Sequence, residues 1–435
     1  MNFLIISSSN PTISAGIVAQ DLSYSLKEHL DAQVKILTSA RDNYNSEDII
    51  VAKPRIHFKI EKIIYFQRRV LNYLNRKYLK HKLFPKRNRE YSFQKYDLTK
   101  SRYSTQQIVN QLNKYRPDAI IVVFNVDFLN FKDIATLSTL TSSPILFYMM
   151  DMAPITGGCH YAWNCNGYSL SCGKCPGLYS ENNFDQSYKN FRFKKQYIDK
   201  MNCIPIAATE EQFKQLNNSL LFKEKVKTKV LLSCNPEVFK LKNKEKARIS
   251  LNLPASKKII FIGAMDISSK RKGSLELMEV LSKLNKIPNA TNKYHLLFAG
   301  NLNDRIMENI SINFTSLGYI NHGTLSTAFN AADLFLCTSI EDSGPMMINQ
   351  SIMCGTPVVC FKIGVSFDLV KNEKTGYLAD LKNTNQMIQG ISYISNLDSS
   401  EYSKMQDNCL NIANTKLLPS VQARGFENIL KSVSA

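Results

Sequence analysis

Short apolar runs punctuate this chain, most of them too brief for helices and too continuous for strands that face water. NFLIISS, AQVKILTS, DAIIVVF, SPILFYMM, KKIIFIGAM, YHLLFAG, DLFLCTS and TPVVCF are each of strand length. A run that is apolar on both faces of its pleat suits a strand buried on both sides of a sheet. Between these runs lie stretches with helical spacing: SAGIVAQDLSYSLKEHL, TQQIVNQLNKY, SLELMEVLSKL and LSTAFNAA. Strands alternating with helices predict parallel sheets covered by helices on both faces. The alternation comes in two series separated by KVLLSCNPEVFKLKNKEKAR, which turns polar after residue 234 and carries Pro236. The expected fold is therefore α/β, with two doubly wound Rossmann-like domains facing each other across a cleft. Their expected spans are residues 1–235 and 236–415, with a final helix over 416–435 packing back toward the first.

The pattern also points to where chemistry would sit. In SIEDSGPMMINQSIMCGTPVV, Pro345 can open a helix and Gly355 can end it. Glu341, Asp342, Ser343 and Gly344 then lie in a loop at the carboxyl end of a buried strand, where open α/β sheets bind ligands. Glu341 and Gln350 suit hydroxyl groups, and the amides near Pro345 suit a phosphate. The competing reading is a capped helix with an exposed acid and a core-facing glutamine. In GAMDISSKRKGSLEL, the triplet Lys270, Arg271 and Lys272 follows a strand, and Gly273 lets the chain turn closely into a helix. Such a triplet either neutralises a diphosphate or is simply solvated.

Composition narrows the class. Hydrophobic residues make up 44% and charged residues 21% of 435 positions, a globular balance. No apolar run approaches the eighteen or so residues of a membrane span. The amino terminus lacks a basic signal-peptide region, so a cytoplasmic protein is expected. Most of the net charge of +19 is local: residues 51–104 carry sixteen Lys or Arg against Glu61, Glu90 and Asp97, which is +13 of the total. Within it, Ile60, Ile63, Ile64, Val70, Leu71, Leu74 and Tyr78 fall at helical spacing among Arg68, Arg69, Arg76, Lys77, Lys80 and Lys82. A basic amphipathic helix of this kind fits an anionic membrane surface, though plain packing and a nucleic-acid site share the pattern. No nucleic-acid motif accompanies the charge, and no nucleic-acid partner is expected.

The chain has ten cysteines, too many scattered positions for a disulfide framework in a cytoplasmic chain. Cys203, Cys234, Cys337, Cys354, Cys360 and Cys409 sit among apolar residues and read as small core side chains. Cys159, Cys165, Cys172 and Cys175 cluster in a loop over 157–177 with spacing C-x5-C-x6-C-x2-C. Four thiolates can surround a structural zinc, with His160 able to replace one of them; reduced thiols and a redox pair are the alternatives.

Several motifs in order resemble one family. They are D-x-x-P-x-T-G-G-C-H-Y with its cysteines (151–176), RKG (271–273), LGYINHGTLSTAFNAADLFLCTSIEDS (317–343), CGTPVV (354–359) and KTGYLAD (374–380). Together they resemble the family 4 retaining glycosyltransferases of GT-B fold, in particular the bacterial colanic acid, exopolysaccharide and O-antigen group. The resemblance implies a UDP- or GDP-sugar donor held mainly by the second domain, without a catalytic divalent metal. It implies a lipid-linked or growing polysaccharide acceptor held mainly by the first, at the inner membrane face. It places Glu341 on the transferred hexose, Arg271 and Lys272 on the diphosphate, and Gln350 on the ribose hydroxyls. Gly16, Gly263, Gly300, Ser343, Gly344 and Pro345 complete the expected donor contacts. Departure of the leaving phosphate with the acceptor proton, by front-face attack, is the reaction the family implies, so no separate base is named.

Three positions depart from the family pattern. Gln350 stands for a glutamate, Met150 stands where a histidine often precedes the aspartate, and Ser14-Ala15-Gly16 keeps one glycine of the first loop. They keep open a second hypothesis, a GT-B scaffold that binds donor or partner enzymes without turnover.

Overall fold

The computed structural model describes residues 1–11, 16–40, 46–56, 58–60, 63–64, 66–67, 70–71, 73, 87–308 and 310–434. They form two compact units: Met1–Ala207 with Phe213–Lys229 and Ala423–Ala435, and Ala208–Gln212 with Val230–Gln422.

The first unit is built on seven strands: β1 (Asn2–Ser7), β2 (Gln33–Thr38), β3 (Ile49–Val51), β4 (Ala119–Phe124), β5 (Ile145–Met149), β6 (Cys203–Ala207) and β7 (Thr228–Lys229). Their order is β3-β2-β1-β4-β5-β6-β7, and every pair is parallel. The second unit has six: β8 (Lys258–Asp266), β9 (Tyr294–Asn301), β10 (Phe314–Ser316), β11 (Leu334–Cys337), β12 (Val358–Phe361) and β13 (Gly376–Ala379). Their order is β10-β9-β8-β11-β12-β13, again all parallel. Both sheets are doubly wound. The direction of sheet growth reverses between β1 and β4 in one, and between β8 and β11 in the other.

The central strands match the apolar runs because helices cover both faces. All of Ile145–Met149 and Leu334–Cys337 is buried, and each such side chain contributes roughly 1.5–3 kcal/mol on leaving water. The edge strands β3, β7 and β10 are two or three residues long and partly exposed. An edge does not need two apolar faces, so β7 and β10 left no continuous run to read, and the IIV of β3 is only three residues long. Side-chain caps start some of the helices: Asn130 and Asp133 form a reciprocal capping box on Phe131–Thr141, as Asp398 and Glu401 do on Ser399–Lys416. The six scattered cysteines are buried thiols in these cores.

The basic region is anchored at its two ends. Phe58 is buried against the rings of Tyr96 and Tyr103, and the Arg102 guanidinium lies 5.1 and 5.2 Å from the Phe58 and Tyr96 rings. Ile56, before Phe58, and Ile60, Ile63, Ile64, Phe66, Val70, Leu71 and Tyr73, after it, are exposed. The expectations for Arg68, Arg69, Leu74, Arg76, Lys77, Tyr78, Lys80 and Lys82 lie outside the described residues. No helix among the described residues is long and apolar enough to cross a membrane.

Candidate functional site

In the second unit, the reversal between β8 and β11 fixes where a ligand can approach: outside the carboxyl ends of these two strands. Beyond β8 the chain forms a single 3-10 turn, Lys270–Lys272, and enters the helix Ser274–Asn285 through Gly273. Gly273 has φ +72°, and a Cβ there would stand 1.8 Å from the Thr338 carbonyl oxygen. Only glycine lets the basic turn lie this close to the chain leaving β11. The contact is stitched by hydrogen bonds. Thr338 Oγ1 donates to Lys272 O at 2.9 Å, and the amides of Ile340 and Glu341 donate to Arg271 O at 3.0 and 3.2 Å.

Side chains reinforce the stitch. Arg271 Nη1 donates to Glu341 O at 3.1 Å and to Asp342 Oδ2 at 2.7 Å, and Lys272 Nζ donates to the same Asp342 oxygen. Asp342 Oδ1 accepts the Gly344 amide at 3.2 Å. Burial would raise the Asp342 pKa, but Lys272 and Arg271 hold it below the ordinary carboxylate value. This carboxylate was not singled out from the sequence. The sequence offered only its place in the loop beside Glu341.

The loop then passes Ser343, whose carbonyl accepts from Thr209 Oγ1 at 3.1 Å, and reaches the helix Met346–Met353 with Pro345 as its N-cap. Gln350 on this helix is only 6% exposed, and its Oε1 has no hydrogen-bond partner among the described residues. A buried carboxamide oxygen left unpaired is costly and awaits a donor. Gly263 and Gly300 have packing reasons of their own. A Cβ on Gly263 would meet Met347 Cε at 2.4 Å, and Gly300, at φ +113°, would meet Ala264 O at 1.6 Å. Gly16 belongs to the other unit, where it precedes the helix Ile17–Leu30 after β1; a Cβ there would meet Asn10 O at 1.7 Å.

Residues 243–412 match the family model of the group 1 glycosyl transferases. The matched segment lies in the second unit and contains the basic turn, Glu341 and Gln350. An uncharacterised glycosyltransferase of Methanocaldococcus jannaschii is 22% identical over 238 residues, 52% of this chain and 58% of that protein, so the chain spans little more than half the relative's length. Among solved structures, sucrose-phosphate synthase of Thermosynechococcus elongatus superposes with a TM-score of 0.69 at 15% identity, covering 100% of this chain and 99% of that one. A Rickettsia africae glycosyltransferase gives 0.67 at 15%, covering 100% and 98%. The Anabaena protein HepE, in complex with UDP-glucose, gives 0.64 at 13%, covering 99% and 100%. The fold is GT-B, with two Rossmann-like units.

In the first GT-B unit the zinc expectation finds no support. Cys159, Cys165, Cys172 and Cys175 line one small cavity of about 20 Å³, but all are free thiols. Among the described residues no group of three or more His, Cys, Asp or Glu could hold a metal ion. Burial pushes the Cys159 and Cys172 thiols up to about 12, favouring protonated sulfur. Protein hydrogen bonds pin the loop. The buried Lys194 ammonium donates to Ala153 O at 2.6 Å and Thr156 O at 2.9 Å, and Asp185 accepts from the Cys175 and Ser187 amides at 2.8 Å each. His160 Nδ1 is 2.6 Å from Asp151 Oδ2, while Asp151 Oδ1 accepts from the Ala153 amide at 2.7 Å. Burial lowers the His160 pKa, but the Asp151 carboxylate more than reverses this and leaves it raised.

Proposed function

We propose that this protein is a retaining glycosyltransferase that moves a hexose from a nucleotide-sugar donor to a lipid-linked or growing polysaccharide acceptor at the cytoplasmic membrane face. The observation that carries the proposal is the meeting of Arg271 with Glu341, and of Lys272 with the adjacent Asp342, at the β8/β11 reversal, residues 70 apart in sequence drawn together by direct hydrogen bonds. In this reading Arg271 and Lys272 neutralise the diphosphate as charge builds on the leaving group. Glu341 holds the hexose, and Gln350 supplies its unpaired carboxamide oxygen to a ribose hydroxyl. A UDP-glucose complex of HepE and the group 1 family match support a nucleotide-sugar donor. The acceptor is assigned to the first unit, whose exposed isoleucines lie within a strongly basic segment suited to anionic lipid.

The test is a panel of UDP- and GDP-sugars in a thermal-shift assay, followed by nucleotide release in the presence of membrane extract. At least one donor is expected to raise Tm in the wild type and not in Glu341→Ala. If none raises Tm, the donor site is refuted; if one binds but no extract fraction elicits nucleotide, the chain is a scaffold and not an enzyme. Co-sedimentation with phosphatidylglycerol vesicles but not phosphatidylcholine vesicles is the expected sign of the membrane face.

A further inference from the structure

The proposed diphosphate site already contains an anion belonging to the chain itself. Arg271 Nη1 and Lys272 Nζ share one oxygen of Asp342, whose side chain is 10% exposed against 23% for each cation. We propose that Asp342 is a resident counter-ion of this basic pair, which an incoming diphosphate must displace or share, and which thereby keeps the nucleoside diphosphate loosely held. The inference rests on the donor reading above and specifies how that site regulates its own affinity.

The geometry argues against a merely structural role. The basic turn is closed without the carboxylate, by Thr338 Oγ1 on Lys272 O and by the Ile340 and Glu341 amides on Arg271 O. The carboxylate adds charge compensation to a turn that backbone bonds already hold. Two cations and one carboxylate leave a net charge of +1, so half of the attraction that the pair would exert on a phosphate is spent internally. Lys272 Nζ has no partner among the described residues other than Asp342, so its remaining N–H donors can turn to a ligand. The ion pairing also keeps Asp342 ionised, with its pKa below the ordinary value. A diphosphate arriving at the pair therefore meets a full negative charge a few ångströms away, which disfavours binding but favours release of the spent nucleotide.

Asp342→Asn and Asp342→Ser both remove the charge while leaving a side-chain oxygen for the Gly344 amide, so either can keep the turn. Calorimetric titration with inorganic pyrophosphate, UDP and GDP is expected to show roughly tenfold tighter binding to both variants, from removal of one nearby charge in a partly buried site. Affinity should also fall more steeply with added salt than in the wild type. Turnover, once a donor is known, should show lower KM together with lower kcat as release slows. Unchanged or weaker affinity in a variant with wild-type Tm overturns the inference and makes Asp342 a positioning residue of the basic turn. Lys272→Gln separates this failure from that of the donor reading. If the wild type binds pyrophosphate and Lys272→Gln binds it equally well, the basic pair is not the diphosphate site and both readings fall. If Lys272→Gln loses binding while the Asp342 variants match the wild type, only the counter-ion falls. If no form binds pyrophosphate, UDP or GDP, both are refuted.

Discussion

Replacing Gly273 by alanine tests whether the basic turn depends on a close approach that only glycine permits. Gly318 provides the control. Both residues have left-handed backbones, at φ +72° and +64°, but a Cβ on Gly318 meets nothing within 4 Å whereas one on Gly273 stands 1.8 Å from Thr338 O. The left-handed penalty of about 1–2 kcal/mol applies to both. At Gly273 the carbonyl must also retreat by well over an ångström, which breaks the Thr338, Ile340 and Glu341 bonds to the turn. Three such bonds at about 0.5–1.5 kcal/mol each bring the total to about 3–6 kcal/mol. With a shift of about 2–4 °C per kcal/mol in a unit of this size, Gly273→Ala should melt several degrees below Gly318→Ala in scanning calorimetry. Pyrophosphate should stabilise the Gly318 variant and not the Gly273 variant. Equal Tm losses in the two would refute the claim that packing, and not backbone strain alone, fixes the turn.

Asp333 accepts from Arg248 Nη2 at 2.6 Å, the Ile259 amide at 2.7 Å and Lys244 Nζ at 3.1 Å. Asp333→Asn should therefore cost about 3–5 kcal/mol by leaving buried Arg248 uncompensated, seen as a lower urea midpoint; a loss under about 1 kcal/mol would show that the pair is well solvated. Gln350→Glu should tighten donor binding, because charge-assisted bonds are about twice as strong as neutral ones, while lowering the Tm of the ligand-free protein by burying a carboxylate. Unchanged donor affinity would refute the ribose assignment. His160 has a folded pKa raised above its ordinary 6.5, so its contribution to stability is full below that value and is lost as pH rises through the folded pKa. The stability gap between wild type and His160→Gln should thus narrow as pH rises above the ordinary histidine value of 6.5, and a constant gap would show that the Asp151 pairing carries no charge.

The parts of the fold legible in the sequence were those where burial is symmetrical. β4 and β8 announce themselves because both faces of their sheets are covered, so AIIVVF and the KIIFI of β8 carry no polar alternation. β10 and β7 were silent because FTS and TK lie at edges, where solvent takes one side. At the candidate site, the positions of Arg271, Lys272, Glu341 and Gln350 followed from strand ends and helix starts, which local sequence encodes. Their partnerships did not. That Asp342 binds the two cations, and that Asp151 engages His160, depends on contacts across the fold that no spacing records. The four cysteines show the same limit from the other side: their spacing fits a metal, but the loop they occupy is held by Lys194, Asp185 and Asn190, two of which lie beyond the cysteine pattern on the helix Gln186–Ile198.

One physical rule connects these hidden partnerships. Chain leaving the carboxyl end of a parallel strand loses its ladder partners, and its amides and carbonyls must be satisfied some other way if they are buried. In this protein charged side chains perform that task repeatedly: Lys194 gathers the Ala153 and Thr156 carbonyls after β5, Asp151 takes the Ala153 amide, and Asp342 takes the Gly344 amide after β11. A charge placed to satisfy backbone needs compensation, which His160 supplies for Asp151 and Arg271 with Lys272 for Asp342. The strand ends of an open α/β sheet thus collect opposed charges for reasons of folding before any ligand arrives. A nucleotide-sugar site at β8 and β11 would exploit cations already positioned to balance Asp342, and its affinity would be limited by that same carboxylate.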